Sequence, residues 1–292
     1  MRNVLKDKAA EEQFQKDGYI SMPLLSAEEV KTLYDFYVAN NVREDYYQNN
    51  TAEFSILHAE RQKREEIFNL ITGILLPKLE NIVNGYKPLI ANFICKDPGK
   101  GQVPVHQNWA VVDEKKFTSI SIWCPLVDVT ETNGTLQFVP GSHKRFRGIR
   151  GSRGNVTFNH IEKFVVDNYL VKVPLKAGNC IILDDSVIHY SDINQSDKIR
   201  LSIQLIMYPQ EATPLHHTFV EENGATICET YEADASYYWT IYKMKGALEK
   251  YKLVSRKKFQ SPVYNEEQFA AKMRGEAEEK TGLIDRLKAM FA

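Results

Sequence analysis

Four residues in this chain could converge on one piece of chemistry. In Val103-Pro104-Val105-His106-Gln107-Asn108-Trp109, His106 and Asn108 stand two positions apart behind the apolar Val103 and Val105. That is the pattern of a strand end, where alternate side chains point to the same face. A second histidine, His189, follows in Ile-Leu-Asp-Asp-Ser-Val-Ile-His-Tyr-Ser, and eleven residues later Arg200 opens the alternating run Arg-Leu-Ser-Ile-Gln-Leu-Ile. Two imidazoles plus one oxygen donor on a metal with open positions form the donor set of non-haem Fe(II) oxidation chemistry. The usual oxygen donor in that set is a carboxylate, and here it is the amide of Asn108.

The elements that must position these groups are legible in the change of hydrophobic period. Before residue 88 the period is helical. A polar lead-in over residues 9–20 ends at Gly18, and an apolar strand-like piece follows from Tyr19 to Leu25. Ser26 with Glu29 three residues later is a capping-box signature, followed by Val30, Leu33, Tyr34 and Tyr37 at helical spacing. A second helical pattern over 58–84 carries Ile67, Leu70, Ile71 and Ile74, and Pro77 is expected to bend or restart it. The segment 40–56 between them, with Tyr46 and Tyr47, reads as a loop.

From Pro88 onward the period becomes two. Short β-rich pieces at 89–95, 102–106, 118–125, 135–139, 171–174, 179–184 and 199–208 are separated by Asp-Pro-Gly-Lys-Gly, Glu-Thr-Asn-Gly, Pro-Gly-Ser-His and Lys-Ala-Gly-Asn. Many short strands with few helices between them predict an antiparallel barrel or jelly roll, not a doubly wound sheet. Arg200, Ser202 and Gln204 share one face of their strand and Leu201, Ile203 and Leu205 the other; Ser119, Ser121 and Trp123 likewise oppose Ile120, Ile122 and Cys124. Bringing His106, His189 and Arg200 together requires the polar faces to look into the barrel mouth. The apolar faces then need a cover, which the amphipathic segments 26–39 and 59–84 supply.

Composition narrows the function classes. The 292 residues are 43% hydrophobic, ample for a core, and 37 Lys plus Arg against 38 Asp plus Glu leave a net charge of −1. Nothing in that balance favours nucleic acid or a membrane surface as a partner. No apolar run approaches a spanning helix, and the N-terminus has no apolar signal core, so the expectation is a soluble, cytoplasmic protein. Cys95, Cys124, Cys180 and Cys228 lack metal-site or framework spacing and read as buried, reduced thiols.

These motifs together resemble a known family. His-Gln-Asn-Trp, then Ser-Ile-Trp-Cys-Pro-Leu-Val-Asp-Val-Thr-Glu-Thr-Asn-Gly-Thr-Leu-Gln-Phe-Val-Pro-Gly-Ser-His-Lys, then His189-Tyr-Ser191 with Arg200, are similar to the phytanoyl-CoA dioxygenase family of Fe(II)/2-oxoglutarate oxygenases. The similarity runs over residues 10–210, because Phe-Gln-Lys-Asp-Gly-Tyr-Ile and Leu-Leu-Ser-Ala-Glu-Glu-Val also look like the family's N-terminal entry.

The resemblance implies a double-stranded β-helix fold, iron at its mouth and 2-oxoglutarate as cosubstrate. On this reading residues 1–292 form a single oxygenase domain: a helical N-terminal cover over 1–87, a β-helix core over 88–220 and an aromatic-rich, helical extension over 221–292. By the same resemblance His106 and His189 match the metal histidines and Asn108 stands where the family usually has aspartate. Arg200 matches the arginine that grips the distal carboxylate of 2-oxoglutarate, with the Ser191 hydroxyl beside it. A planar guanidinium and a neighbouring hydroxyl suit that task. Trp123 and Asn92 are candidates for lining the same pocket; Gln107 turns away by alternation.

The implied reaction is hydroxylation of a small molecule with consumption of O2 and release of succinate and CO2. Asn108 keeps two alternatives open. One is a silent member that binds a ligand or 2-oxoglutarate without oxidising it; the other is a halogenase-like variant, which would need the third protein position left vacant. His143, Lys144, Arg145, Arg147, Arg150 and Arg153 cluster on a glycine-bearing loop, which reads either as a solvated segment or as a protease-sensitive lid that attracts an anionic substrate. Tyr231, Tyr237, Tyr238, Trp239 and Tyr242 precede a charged helix expected over 264–291.

Overall fold

Three helices, the first two capped by side chains, precede most of the strands. In the computed structural model, which describes residues 2–40, 42, 51–151, 157–240 and 248–276, α1 (Lys8–Asp17) starts where the Asp7 side chain accepts from the Ala10 amide and stops at Gly18, whose φ of 86° lies in the left-handed region. A Cβ at Gly18 would also meet the His143 ring at 2.5 Å. After β1 (Tyr19–Pro23), α2 (Ala27–Ala39) opens with the reciprocal Ser26–Glu29 capping box expected of it. β2 (Glu53–Phe54) leads to α3 (Arg61–Leu79). Pro77 neither breaks nor restarts this helix, because it sits in the last turn with only two helical residues after it. The loop reading for 40–56, with Tyr46 and Tyr47, falls largely outside the described residues.

The period-two region forms β3 (Tyr86–Lys96), β4 (Val103–His106), β5 (Ile120–Pro125), β6 (Leu136–Phe138), then α4 (Glu162–Tyr169), β7 (Val171–Lys172), β8 (Asn179–Asp184), β9 (His189–Ser191) and β10 (Arg200–Pro209). One sheet has the order β1-β8-β5-β10-β3-β2 and the other β4-β9-β6-β7, with every pairing antiparallel. The fold is therefore mainly β with flanking helices, a jelly roll. Trp123, Ile94, Ile181 and Leu183 of the large sheet meet Leu136 and Phe138 of the small one between the sheets.

The outer face of the large sheet carries Ile120, Ile122, Cys124, Leu201, Ile203 and Leu205, all buried in one cluster with Phe14, Leu33, Ile67, Ile71 and Leu75 of the helices. Each fully buried aliphatic side chain there contributes about 1.5–3 kcal/mol by leaving water. This packing fixes the face on which the polar residues of β5 and β10 must lie, which is inward. All four cysteines are free and buried.

The segment after Pro209 departs from expectation. Instead of a mainly helical extension it forms a second antiparallel unit, β11 (Leu215–Glu222), β12 (Ala225–Glu232) and β13 (Leu253–Lys258), interrupted by the short α5 (Ala235–Thr240). The turn between β11 and β12 is Asn223-Gly224, both at positive φ, a two-residue hairpin signal that the sequence reading did not use. Tyr237 and Tyr238 pack with Leu89, Ile90 and Val111, so these aromatics serve the core, while Tyr242 lies outside the described residues. The expected terminal helix is described only as α6 (Glu266–Arg274), whose Phe269 enters a cluster with Phe146 and Phe158.

The basic loop also differs from a lid. His143, Phe146 and Arg150 are buried, Arg147 pairs with Asp184 at 2.6 Å, and Arg150 pairs with Glu114. The charges of Arg147 and Arg150 are neutralised inside the protein, which anchors the described part of the loop, while Lys144 and Arg145 are exposed; Arg153 and Gly154 lie outside the described residues. Among the described residues no helix is long and apolar enough to cross a membrane.

Three buried histidines make the fold acid-sensitive. Burial, more than any neighbouring charge, brings His143, His216 and His217 down to about 4 from 6.5. Between those values the unfolded chain binds more protons than the folded one, so this contribution to stability is complete above pH 6.5 and is lost as pH falls toward 4. Urea unfolding at pH 7 and pH 5 should differ by about 1–2 kcal/mol for each histidine, and His216→Phe should remove part of the difference. Identical midpoints at the two pH values would rule this out.

Candidate functional site

Antiparallel pairing of β4 with β9 puts His106 directly opposite His189. Their ring centroids are 4.1 Å apart. Each Nδ1 lies against a backbone carbonyl two residues upstream, Pro104 at 2.8 Å and Val187 at 3.0 Å. A carbonyl only accepts, so Nδ1 carries the proton in both rings and each Nε2 keeps its lone pair. Burial holds both imidazoles neutral, His189 well below its ordinary value, with the neighbouring His106 adding to the effect. Neutral rings with bare Nε2 atoms are what a metal requires.

Asn108 completes the set from two residues further along. Its Nδ2 donates to Ser121 Oγ at 3.0 Å and to Asp185 Oδ1 at 2.9 Å. An ionised carboxylate accepts and cannot donate, so the amide presents its NH2 edge to Asp185 and turns Oδ1 the other way. Asp185 is fully buried, and burial raises its carboxyl to about 6. Among the described residues no three or more His, Cys, Asp or Glu side chains form a metal-holding group, as an amide third donor entails.

The other end of the site is built for an anion. Arg200, 1% exposed, opens β10 with Lys96, 0% exposed, as its Cα partner on β3. The guanidinium lies 5.3 Å from the Trp123 ring centroid, its Nη1 reaches only Ser202 Oγ at 3.4 Å, and its Nε has no partner. No carboxylate pairs with it among the described residues. Lys96 Nζ donates to Ser191 Oγ at 2.7 Å and to the Asp192 carbonyl at 2.6 Å. Burial and then the adjacent Arg200 charge bring Lys96 down to about 6. A buried guanidinium without a counter-charge is costly, so Arg200, beside an amine that an anion would protonate, marks a candidate place for a negative ligand. Asn92, on the same inward face of β3, adds a buried Nδ2 without a partner.

The candidate metal and cosubstrate residues have these neighbours. His106 and His189 meet, Asn108 stands beside Ser121, Arg200 lies over Trp123, Ser191 is held by Lys96, and Asn92 pairs across the strands with Gln204. Gln107 donates to the Phe146 and Ser186 carbonyls, turned away as alternation requires. The roles of three residues were missed. Lys96 ends an otherwise apolar strand, a lone charge that could have been noticed; Asp185 was hidden in an Asp-Asp-Ser turn whose first Asp is taken by Arg147. Arg150 is a third, since its Nε donates to the Asn108 carbonyl at 2.8 Å.

The family model of phytanoyl-CoA dioxygenase (PhyH) matches residues 14–202. A phytanoyl-CoA dioxygenase domain-containing protein 1 from Danio rerio is 27% identical over 203 residues, covering 65% of this chain and 69% of that protein. A phytanoyl-CoA dioxygenase from Arabidopsis thaliana is 35% identical over 117 residues, covering 39% of this chain and only 41% of the plant protein. Among solved structures, EvdO2 from Micromonospora carbonacea var. aurantiaca, complexed with 2-oxoglutarate, aligns with a TM-score of 0.53 at 22% identity over 73% of this chain and 94% of its own. HygX from Streptomyces hygroscopicus, with nickel, 2-oxoglutarate and hygromycin B bound, gives 0.52 at 13% identity over 70% of this chain and 88% of its own. At these identities the structural likeness speaks for the fold.

An anion entering between Arg200 and Lys96 raises the affinity of the Lys96 amine for its proton. With Lys96 near 6 in the empty pocket, the protein at pH 7.5 should take up a proton as 2-oxoglutarate binds. Calorimetry of the Mn(II)-loaded protein in buffers of different ionisation enthalpy measures that uptake, and Lys96→Met should abolish it. No buffer dependence in the unsubstituted protein would show Lys96 to be already charged.

Proposed function

The chain belongs to the phytanoyl-CoA dioxygenase family, and from that premise we propose that it oxidises a small-molecule substrate, by hydroxylation, with Fe(II) and 2-oxoglutarate held in the site just described. The enzyme class is that of the non-haem iron, 2-oxoglutarate-dependent oxygenases. The observation that carries the residue assignment is the unpaired, buried Arg200 beside Lys96, on the same inner surface as two imidazoles with free Nε2 atoms.

His106, His189 and Asn108 would hold the metal through two nitrogens and one amide oxygen. Arg200 and Lys96 would bind the distal carboxylate of 2-oxoglutarate, and Ser191, already hydrogen-bonded to Lys96, would donate its own hydroxyl proton to the same carboxylate. Trp123 closes the pocket behind the guanidinium, and Asn92 offers its unused amide donor to the bound cosubstrate. When bound, the iron and 2-oxoglutarate supply the oxidising power, with O2 consumed and succinate and CO2 released. The protein's own part is to keep both imidazoles neutral, to fix the amide and the guanidinium, and to exclude water with Ile94, Trp123, Leu136 and Phe138. Arg147 and Arg150 are internally paired, so these two guanidiniums give no support to an anionic substrate.

A second reading, a member that binds 2-oxoglutarate without oxidising a substrate, is favoured by the neutral Asn108. A halogenase-like centre needs the third protein position vacant, and Asn108, held by Ser121 and Asp185, fills it. Anaerobic addition of Fe(II) and 2-oxoglutarate should produce a weak visible metal-to-ligand charge-transfer band, and admission of O2 should yield succinate. The band without succinate selects the binding-only reading; no band at all refutes the metal assignment. Arg200→Ala should weaken 2-oxoglutarate binding by about 2–5 kcal/mol, since it removes a buried charge-assisted anchor, while the far-ultraviolet spectrum stays unchanged. Near-normal affinity in that variant would reject Arg200 as the anchor.

A further inference from the structure

Behind Asn108 stands a carboxylate that the proposed mechanism does not use. Asp185 is 0% exposed in the turn between β8 and β9, and its Oδ1 accepts from Asn108 Nδ2 at 2.9 Å and from Ser121 Oγ at 2.6 Å. Its Oδ2 makes no hydrogen bond of ordinary geometry, although the buried Ser119 hydroxyl lies near enough to favour the ionised form. The nearby cations are engaged elsewhere, Arg147 with Asp184 and Arg150 with Glu114. Among the described residues no cation pairs with Asp185.

The backbone around this pair is clamped. One guanidinium, that of Arg150, donates through Nε to the Asn108 carbonyl at 2.8 Å and through Nη2 to the Asp185 carbonyl at 3.4 Å. Glu114 fixes that guanidinium in turn through both of its oxygens. The amide and the carboxylate are thereby kept in register. A buried, unneutralised carboxylate one hydrogen bond behind a neutral oxygen donor is costly unless a positive charge arrives on the far side of that donor.

Resting on the metal reading above, we propose that Asp185 is the positioning residue of the metal centre: it holds Asn108 with Oδ1 toward the metal and supplies from one hydrogen bond away the negative charge that an aspartate at position 108 would supply in contact. Two physical effects act together. The amide cannot flip, because its carbonyl edge would then face a carboxylate. The N–H···O⁻ hydrogen bond also polarises the amide and places electron density on Oδ1, as outer partners do for metal-bound imidazoles. Asp185 itself does not ligate.

Anaerobic equilibrium titration of the metal-free protein with Co(II), followed by its ligand-field spectrum, tests this without any turnover. Asp185→Asn should weaken Co(II) at least tenfold and alter the spectrum, while the metal-free protein melts at the same temperature or higher, because a buried unpaired charge has gone. The exchange variant Asn108→Asp/Asp185→Asn moves the charge to the metal side and keeps the hydrogen bond between the two residues. It should restore Co(II) affinity to the unsubstituted level or above. Unchanged Co(II) affinity in Asp185→Asn, or an exchange variant that folds yet binds no better than Asp185→Asn, would overturn the proposal. Should Asp185→Asn fail to fold, the exchange variant decides alone: folded with Co(II) bound supports it, folded without Co(II) refutes it. Failure of the metal reading itself shows separately, as absence of Co(II) binding by the unsubstituted protein with 2-oxoglutarate present.

Discussion

Lys96 and Arg200 lie side by side on neighbouring strands, fully buried, with no carboxylate paired to the guanidinium among the described residues. A guanidinium in a poorly polarisable interior loses its hydration, and burial together with that neighbouring charge brings the Lys96 amine down to about 6, so that at neutral pH it is largely uncharged. A fold keeps such an arrangement only if the surrounding structure is stable enough to absorb it. β10 and β3 are interior strands of the six-stranded sheet, paired over ten residues, and the outer faces of both are sealed by helices α1 to α3. The apolar cluster on one side of the sheet therefore maintains electrostatic strain on the other. A dianionic cosubstrate relieves that strain, which is why the anion end of the site can be recognised without any ligand.

The metal end depends on strand ends and on clamps behind them. The register that sets His106 opposite His189 comes from backbone pairing, and the carbonyls of Pro104 and Val187 set the tautomers. Asn108 lies beyond the last paired residue, where no ladder holds it. Arg150, with Glu114, does that work instead, and Arg147 with Asp184 secures the turn that bears Asp185. Buried ion pairs of this kind are poor sources of net stability but good at specifying one geometry, provided every donor is used. Here the guanidinium donors go to carboxylates, backbone carbonyls and one hydroxyl.

Period-two alternation made the faces of β5 and β10 readable in advance, because burial on one side leaves no freedom about which residues point inward. The Ser26–Glu29 box and the α2 and α3 cover followed from the same local rules, while the meeting of His106 with His189 was expected from the family resemblance. What local rules could not reveal was pairing across the chain. Arg147 and Arg150 looked like a cationic lid because a sequence displays charges without their partners, and those partners lie more than thirty residues away. Lys96 and Asp185 were missed for the same reason: each becomes informative only beside Arg200 or Asn108. The β11–β12 hairpin was overlooked although its Asn223-Gly224 turn, with both residues at positive φ, is a local hairpin signal.

An amide in place of a carboxylate changes how the two ends of the site depend on one another. With an aspartate in contact, the metal arrives at a site already carrying negative charge and can bind alone. With Asn108 the contacting donors are all neutral, and the compensating charge stands farther off, where its attraction is weaker. The largest negative charge that can reach the metal is then that of 2-oxoglutarate itself, while 2-oxoglutarate is drawn to the same place by Arg200 and Lys96. Each ligand improves the site for the other, and linkage requires that the improvement be equal in both directions. On the proposed assignment such a centre would be assembled by its cosubstrate, drawn in by the buried guanidinium of Arg200 and held by a Lys96 amine that gains its proton as the anion arrives.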